Sequence, residues 1–240
     1  MKNFLYITIV LGMAEFAPAA IVSLSNNADC YAQQIDGTGG GVVYAGVAPS
    51  GPSLNYHDPY TATAIGSRNW TTEALFVSWV STNTPTFAQV DGYFVGTSAI
   101  GGTSPPGISD GSQVFASDTL IFTLDTAGTV SLINYNVGIS TSGSSPPMVY
   151  ETKLSLDGVD YQVSAANATF TLPVGVGTHT ASYSMLADAF KAGWSNADYS
   201  SGGTLQSQHQ IRVSSVPEPS SAMVWVLGAG LLLGTRRSRA

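Results

Sequence analysis

Three histidines, one serine in a glycine-framed pentapeptide and a scatter of aspartates are the side chains that could do chemistry in this chain. Gly107-Ile108-Ser109-Asp110-Gly111 matches G-x-S-x-G. That pattern places a nucleophilic serine on a strained turn between a strand and a helix. Here Pro105-Pro106 precede it and a strand-like stretch follows, so it reads as a polar loop. His57, His179 and His209 do not share metal-ligand spacing, and no H-E-x-x-H occurs. His57 and Asp58 are adjacent, and neighbours in a strand point to opposite faces. Tyr56-His57-Asp58-Pro59 therefore reads as a turn, and His179 and His209 read as strand residues facing solvent or a rim.

Asp29, Asp36, Asp110, Asp118 and Asp125 fall in predicted loops, while Asp157 and Asp160 flank a turn. Loop carboxylates suit calcium, yet neither an EF-hand nor a nonapeptide repeat is present. Aspartate is also an ordinary turn residue, so no metal site is nominated and no cofactor is expected. A glycosidase needs two opposed carboxylates, and nothing pairs Glu73 with Glu151. The reading is a protein that is not an enzyme, with a secreted hydrolase as the least favoured alternative.

Trp70 and Trp194 are the candidates for glycan contact, because an open aromatic ring can stack on a sugar. Burial at a sheet edge is the competing reading for both. Trp79 alternates with Leu75 and Val77 and reads as core. Cys30 is the only cysteine, so no internal disulfide forms; the residues before it lack a lipobox pattern. Lys and Arg number 8 against 15 Asp and Glu, for a net charge of -7. Only Arg68, Lys153, Lys191 and Arg212 are basic between residues 21 and 215. Nucleic acid, which needs a basic face, is excluded as a partner.

The elements that must position these residues are strands. In Thr119–Leu124, Leu120, Phe122 and Leu124 share one face. In 130–139, Val130 and Leu132 hold one phase, and Ile133, Tyr135, Val137 and Ile139 hold the other. A bulge near Leu132-Ile133 would reconcile them. Asp157-Gly158 is a strong hairpin signal that would pair Leu156 with Val159 and Leu154 with Tyr161. Asp91-Gly92 predicts a second hairpin, pairing Val90 with Tyr93. Further strands are expected at 42–47, 74–80, 168–174, 178–185 and 208–214, with one helix around Met185–Lys191. Strands at this spacing with Gly, Pro and Ser turns predict an antiparallel β-sandwich, jelly-roll or Ig-like.

Both ends of the chain read as membrane signals. Met1-Lys2-Asn3, the apolar run to Met13 and Ala17-Pro18-Ala19 form a signal peptide over residues 1–20. At the other end, Val216-Pro217-Glu218-Pro219-Ser220 leads into an uncharged apolar run and then Arg236, Arg237 and Arg239. A full bilayer span takes about 20 apolar residues. This run is shorter, and snorkelling arginines with local thinning cover the gap. Positive flanks resist translocation, so the arginines are placed on the cytoplasmic side. The plan is a signal peptide at 1–20, a β domain at 21–213, a linker at 214–221, a transmembrane helix at 222–235 and a basic tail at 236–240.

The Pro217-Glu218-Pro219 triplet, the apolar run and the terminal arginines together resemble a PEP-CTERM sorting signal. The resemblance covers residues 216–240, about a tenth of the chain. It implies export in a Gram-negative bacterium that makes exopolysaccharide, with recognition and cleavage by the membrane enzyme exosortase. It also implies delivery from an inner-membrane-anchored precursor to the cell surface or extracellular matrix. The expected partners are exosortase, the membrane and exopolysaccharide. The expected role of the β domain is structural or adhesive, with a carbohydrate-binding module as the alternative.

Overall fold

A computed structural model of the chain describes residues 20–37, 41–48, 50–102, 110–143, 149–191 and 199–215. The leader through Ala19, Ser109, Trp194, the Pro217-Glu218-Pro219 triplet, the 222–235 run and Arg236, Arg237 and Arg239 lie outside the described residues. Among the described residues every regular element is a strand, and no helix is long and apolar enough to cross a membrane.

The strands are β1 (Ile21–Asp36), β2 (Gly41–Val47), β3 (Leu54–Ile65), β4 (Arg68–Asn83), β5 (Phe87–Gly102) and β6 (Asp110–Leu124). They continue as β7 (Gly128–Gly143), β8 (Val149–Leu156), β9 (Val159–Val163), β10 (Ala168–Val174), β11 (Gly177–Lys191) and β12 (Tyr199–Ser215). They form two six-stranded sheets, one in the order β2-β1-β6-β11-β8-β9 and the other β10-β7-β12-β5-β4-β3. All pairings are antiparallel. This is a β-sandwich, as the alternating pattern predicts.

Period-2 alternation sends one set of side chains into the space between the sheets. On β6 this set includes Val114, Ala116, Leu120, Phe122 and Leu124; on β12 it includes Leu205, Ile211 and Val213. Ala28, Cys30 and Ala32 of β1 are small, and β1 packs over β4, which brings Trp70 and Phe76 inward. Small residues facing large ones let the layers interdigitate at interior density. The first and last strands end on the same turn: Ile21 N–H donates to Pro85 O at 2.5 Å, and Ser215 N–H donates to Thr86 O at 3.1 Å.

The Asp157-Gly158 hairpin forms as expected, with φ of 51° and 78° at the two turn residues. Leu156 pairs with Val159, but a register shift sets Leu154 opposite Gln162, one residue beyond Tyr161. The bulge expected at Leu132-Ile133 lies instead near Asn136, whose φ is 53°, where the β12 register jumps between Gln206 and Gln208. Asp91-Gly92 makes no turn; it sits inside the sixteen-residue β5. A Cβ on Gly92 would lie 2.0 Å from His209 Cε1. That glycine makes room for a ring from the next strand.

The helix expected at Met185–Lys191 is the end of β11. Met185, Ala187 and Ala189 are buried at every second position. Their alternation, backed by pairing to β6 and β8 on both sides, overrides local helix preference. Tyr56-His57-Asp58-Pro59 lies in β3, an edge strand, where proline is tolerated. Asp29 and Asp118 are likewise inside strands rather than loops, and Asp36 and Asp110 stand at strand ends.

Candidate functional site

Three polar groupings stand out, the first of them between the sheets. Asp118 on β6 and His209 on β12 are both 0% exposed. His209 Nε2 and Asp118 Oδ2 are 2.5 Å apart, Ser78 Oγ donates to Asp118 Oδ1 at 2.6 Å, and Asn26 Nδ2 donates to the same oxygen at 3.4 Å. Tyr183 stacks on His209 at 4.2 Å between ring centroids, and Phe76 lies across from it at 6.2 Å. Tyr183 reaches Asn134 Oδ1 at 2.7 Å and Ser207 Oγ at 3.0 Å; Asn134 Nδ2 donates to Thr152 Oγ1 at 2.8 Å. Burial raises the Tyr183 phenol's pKa, so it stays protonated.

Serine, aspartate and histidine are the residue types of a hydrolytic triad, but their order here forbids that role. A triad needs the histidine between the serine and the acid, to take the serine proton. Here Asp118 is the middle member, and the group is sealed from solvent. It is a polar seam that ties one sheet to the other. The expectation that His209 faces solvent or a rim is therefore corrected: its even phase with Ser207 and Ile211 turns it inward.

The second grouping lies where β1 ends and β4 and β6 begin. Arg68 Nη1 contacts Asp36 Oδ1 at 2.5 Å and Asp110 Oδ1 at 3.1 Å, all three side chains being buried. Gly37 N–H donates to Asp110 Oδ1 at 3.1 Å. The Arg68 guanidinium lies 5.3 Å from the Trp70 ring centroid. The hydrogen bond to Asp36 raises the pKa of Arg68, against the opposing effect of burial. This ion group is a brace between the sheets. It also closes over Trp70, which is 1% exposed. Trp70 therefore offers no ring to a glycan, which corrects that candidate; Trp194 lies outside the described residues.

The third grouping is exposed, and it is the candidate site: the outer face of the sheet β10-β7-β12-β5-β4-β3. Trp70 and Trp79 are nine residues apart on β4, so their side chains point to opposite faces. Trp79 is 42% exposed, which corrects its expected place in the core. Register sets Val77, Tyr93, Gln208 and Tyr135 in one row across β4, β5, β12 and β7. The next row is Trp79, Asp91, Gln210 and Ile133. Tyr93 and Tyr135 stand two strands apart, about 10 Å at the usual strand spacing.

A fixed polar lattice lies among these rings. Gln89 Nε2 donates to both oxygens of Asp91 at 3.0 and 2.8 Å, and Gln210 Nε2 donates to Asp91 Oδ1 at 2.7 Å. Arg212 Nε donates to Gln89 Oε1 at 3.0 Å and its Nη2 to Gln210 Oε1 at 2.5 Å. Asn136 Nδ2 donates to Gln208 Oε1 at 2.6 Å. Each amide is held by a partner, so its remaining donors and acceptors point in fixed directions. Flat aromatic surface beside oriented amides is the chemistry that receives a neutral polyhydroxyl chain. His57 and Glu73 stand 3.8 Å apart on the same face. Local pattern marks Tyr93 and Tyr135 only as strand residues; the odd spacing between the two tryptophans is the signal that one of them faces out.

His179 is a latch rather than a ligand. Its Nδ1 meets Asp157 Oδ2 at 2.8 Å and its Nε2 meets Gly175 O at 3.1 Å. Cys30 is a buried free thiol, its pKa pushed up to about 12 by burial and then by Asp58. Among the described residues no three His, Cys, Asp or Glu side chains gather where they could hold a metal ion.

No family model matches the chain, and no curated protein matches it. Among solved structures, a GH31 alpha-xylosidase from Xanthomonas citri is similar over 65% of this chain and 27% of its own, at 11% identity and a TM-score of 0.20. The chain thus spans about a quarter of that enzyme's length, and a likeness so slight bears on neither fold nor activity.

Proposed function

We propose that the chain is an exported surface or matrix protein, sorted through a PEP-CTERM signal, whose β-sandwich adheres to exopolysaccharide. The observation that carries the adhesive part is the outer face with Trp79, Tyr93 and Tyr135 set among Asp91, Gln208, Gln210 and Arg212. The route rests on the tail alone, through Pro217, Glu218, Pro219 and the terminal arginines. The chain crosses from one sheet to the other repeatedly, the Greek-key habit of jelly-roll and Ig-like sandwiches. That narrower class is part of the proposal. A hydrolase is not favoured, because the one Ser-Asp-His grouping among the described residues is sealed and wrongly ordered.

Affinity electrophoresis in gels containing acidic and neutral exopolysaccharides tests the adhesive role. Retardation of the intact chain, lost in Trp79→Ala and Tyr93→Ala with folding unchanged, is expected. Equal mobility of all three proteins with and without polysaccharide rejects it. Replacing Pro217-Glu218-Pro219 by alanines in cells tests the route separately: an uncleaved, membrane-held precursor is expected, and release with an unchanged C-terminus rejects it.

A further inference from the structure

The chain holds one Asp–Pro bond, Asp58–Pro59. It lies at a break in the β3–β4 ladder, where pairing runs to Asp58↔Ala74 and resumes at Thr61↔Thr72. Proline has no N–H to give a ladder, so the nitrogen side of this amide takes no part in the sheet's hydrogen bonds. The Asp58 side chain points inward and is buried. Its Oδ1 accepts a hydrogen bond from the Tyr44 hydroxyl, while Oδ2 is buried with no hydrogen-bond partner among the described residues. Gly46 of β2 packs against that oxygen so closely that a Cβ there would lie 2.5 Å from it and 2.8 Å from the Tyr56 hydroxyl.

Among the described residues, the titratable groups facing this carboxyl are Tyr44 from β2, Tyr56 from β3 and Cys30 from β1, and none of the three is a cation. Each has its pKa raised by burial first and by Asp58 second, Tyr56 to about 12. From β4 the opposed residue is Ala74, and His57 and Glu73 pair on the other face of the sheet. A buried carboxyl oxygen left without a partner costs stability, so its presence calls for a use.

We propose that Asp58–Pro59 is a self-cleaving bond, in which the Asp58 carboxyl attacks its own backbone carbonyl carbon on acidification. One carboxyl oxygen forms a bond to that carbon, the carboxyl proton passes to Pro59 nitrogen, and the carbon–nitrogen bond breaks. The products are a five-membered cyclic anhydride at Asp58 and a free secondary amine at Pro59. Water then opens the anhydride to two carboxyls, and nothing is oxidised or reduced. Proline nitrogen suits this step because it leaves as a basic secondary amine. The fold supplies a carboxyl held at one oxygen by Tyr44 and, among the described residues, bare at the other. After the cut, β1 keeps its long pairing with β6, so the sandwich stays assembled with one nicked edge strand.

The test is to hold the full chain in mildly acidic buffer and follow it by denaturing gel and intact mass. Fragments ending at Asp58 and beginning at Pro59 are expected, forming at least about tenfold faster in the folded chain than in urea at the same pH. Hydroxylamine should trap the anhydride as the Asp58 hydroxamate. Asp58→Asn and Pro59→Ala should both stop the cut; Pro59→Ala keeps the carboxyl cluster and serves if the asparagine variant fails to fold. Absence of cleavage, an equal rate in urea, or a cut that persists in Asp58→Asn overturns the proposal.

Discussion

Strand β4 carries a tryptophan on each face, and the two lead opposite lives. Trp70 is closed beneath the Arg68 ion group, while Trp79 is open to solvent beside Asp91. The same contrast runs through the polar residues. Between the sheets, Asp118 is enclosed by Ser78, Asn26 and His209; outside, Asp91 is shared by Gln89 and Gln210. Residue type does not separate the two regions. Strand parity does, and parity decides whether an aspartate or an aromatic ring binds one sheet to the other or remains free to bind something else.

The sharpest break in that comparison comes from the interior. Asp118→Ala leaves His209 buried without its acid, takes the carboxylate acceptor from Ser78, and removes one of Asn26's acceptors while Pro52 O remains. Removing one partner of a buried pair costs about 3–5 kcal/mol. Urea unfolding followed by tryptophan fluorescence should show that loss. A change below about 1 kcal/mol would mean that the seam is not holding the sheets together.

Gly92→Ala probes the same region from the backbone side. Its Cβ would fall 2.0 Å from His209 Cε1. The ring is packed by Tyr183 and Phe76, so it has little room to yield. Overpacking of this kind costs about 1–3 kcal/mol. The urea midpoint should fall, and a methyl tolerated without cost would show that the histidine is more loosely held than its contacts imply.

The outer face should behave in the opposite sense. Trp79→Ala removes a half-exposed ring and is expected to change stability by about 0.5 kcal/mol or less, as surface substitutions do. Polysaccharide retardation should nevertheless disappear. A variant that loses both stability and binding would place Trp79 with the core and erase the difference between the faces.

The architecture was legible from alternation: the strand at Thr119–Leu124 and the Asp157-Gly158 hairpin both form. What local pattern could not reveal was which polar residues the core accepts. His209 and Asp118 lie in phase with apolar neighbours, and only the partners supplied by other strands make their burial tolerable. Asp91-Gly92 misled for a related reason. An Asp-Gly pair signals a turn when local preference governs, and here a distant histidine governs. The outer site was hidden because a row across four strands exists only once the register is set, and Trp79 on its own looked like one more apolar residue.

The smallest effect expected is at the Asp157–His179 latch, where the β8–β9 turn meets β11. Asp157 Oδ1 accepts from Thr180 N–H at 2.8 Å and its Oδ2 meets His179 Nδ1 at 2.8 Å. Burial pulls the Asp157 pKa up, but the hydrogen bonds from His179 and Thr180 outweigh it and hold the carboxyl below its usual value. An unfolded aspartate titrates near pH 3.9. A depressed folded value means that the latch contributes fully above that pH and fades as pH falls through the folded value. The carboxylate is partly exposed, so solvent limits the contribution to about 0.5 kcal/mol. Asp157→Asn should lower the urea midpoint slightly at neutral pH, and the gap from the parent should close in strong acid. A gap that persists undiminished under acid would leave the charge without a role, and the turn's backbone would not explain the loss either, since asparagine and aspartate both tolerate a positive φ.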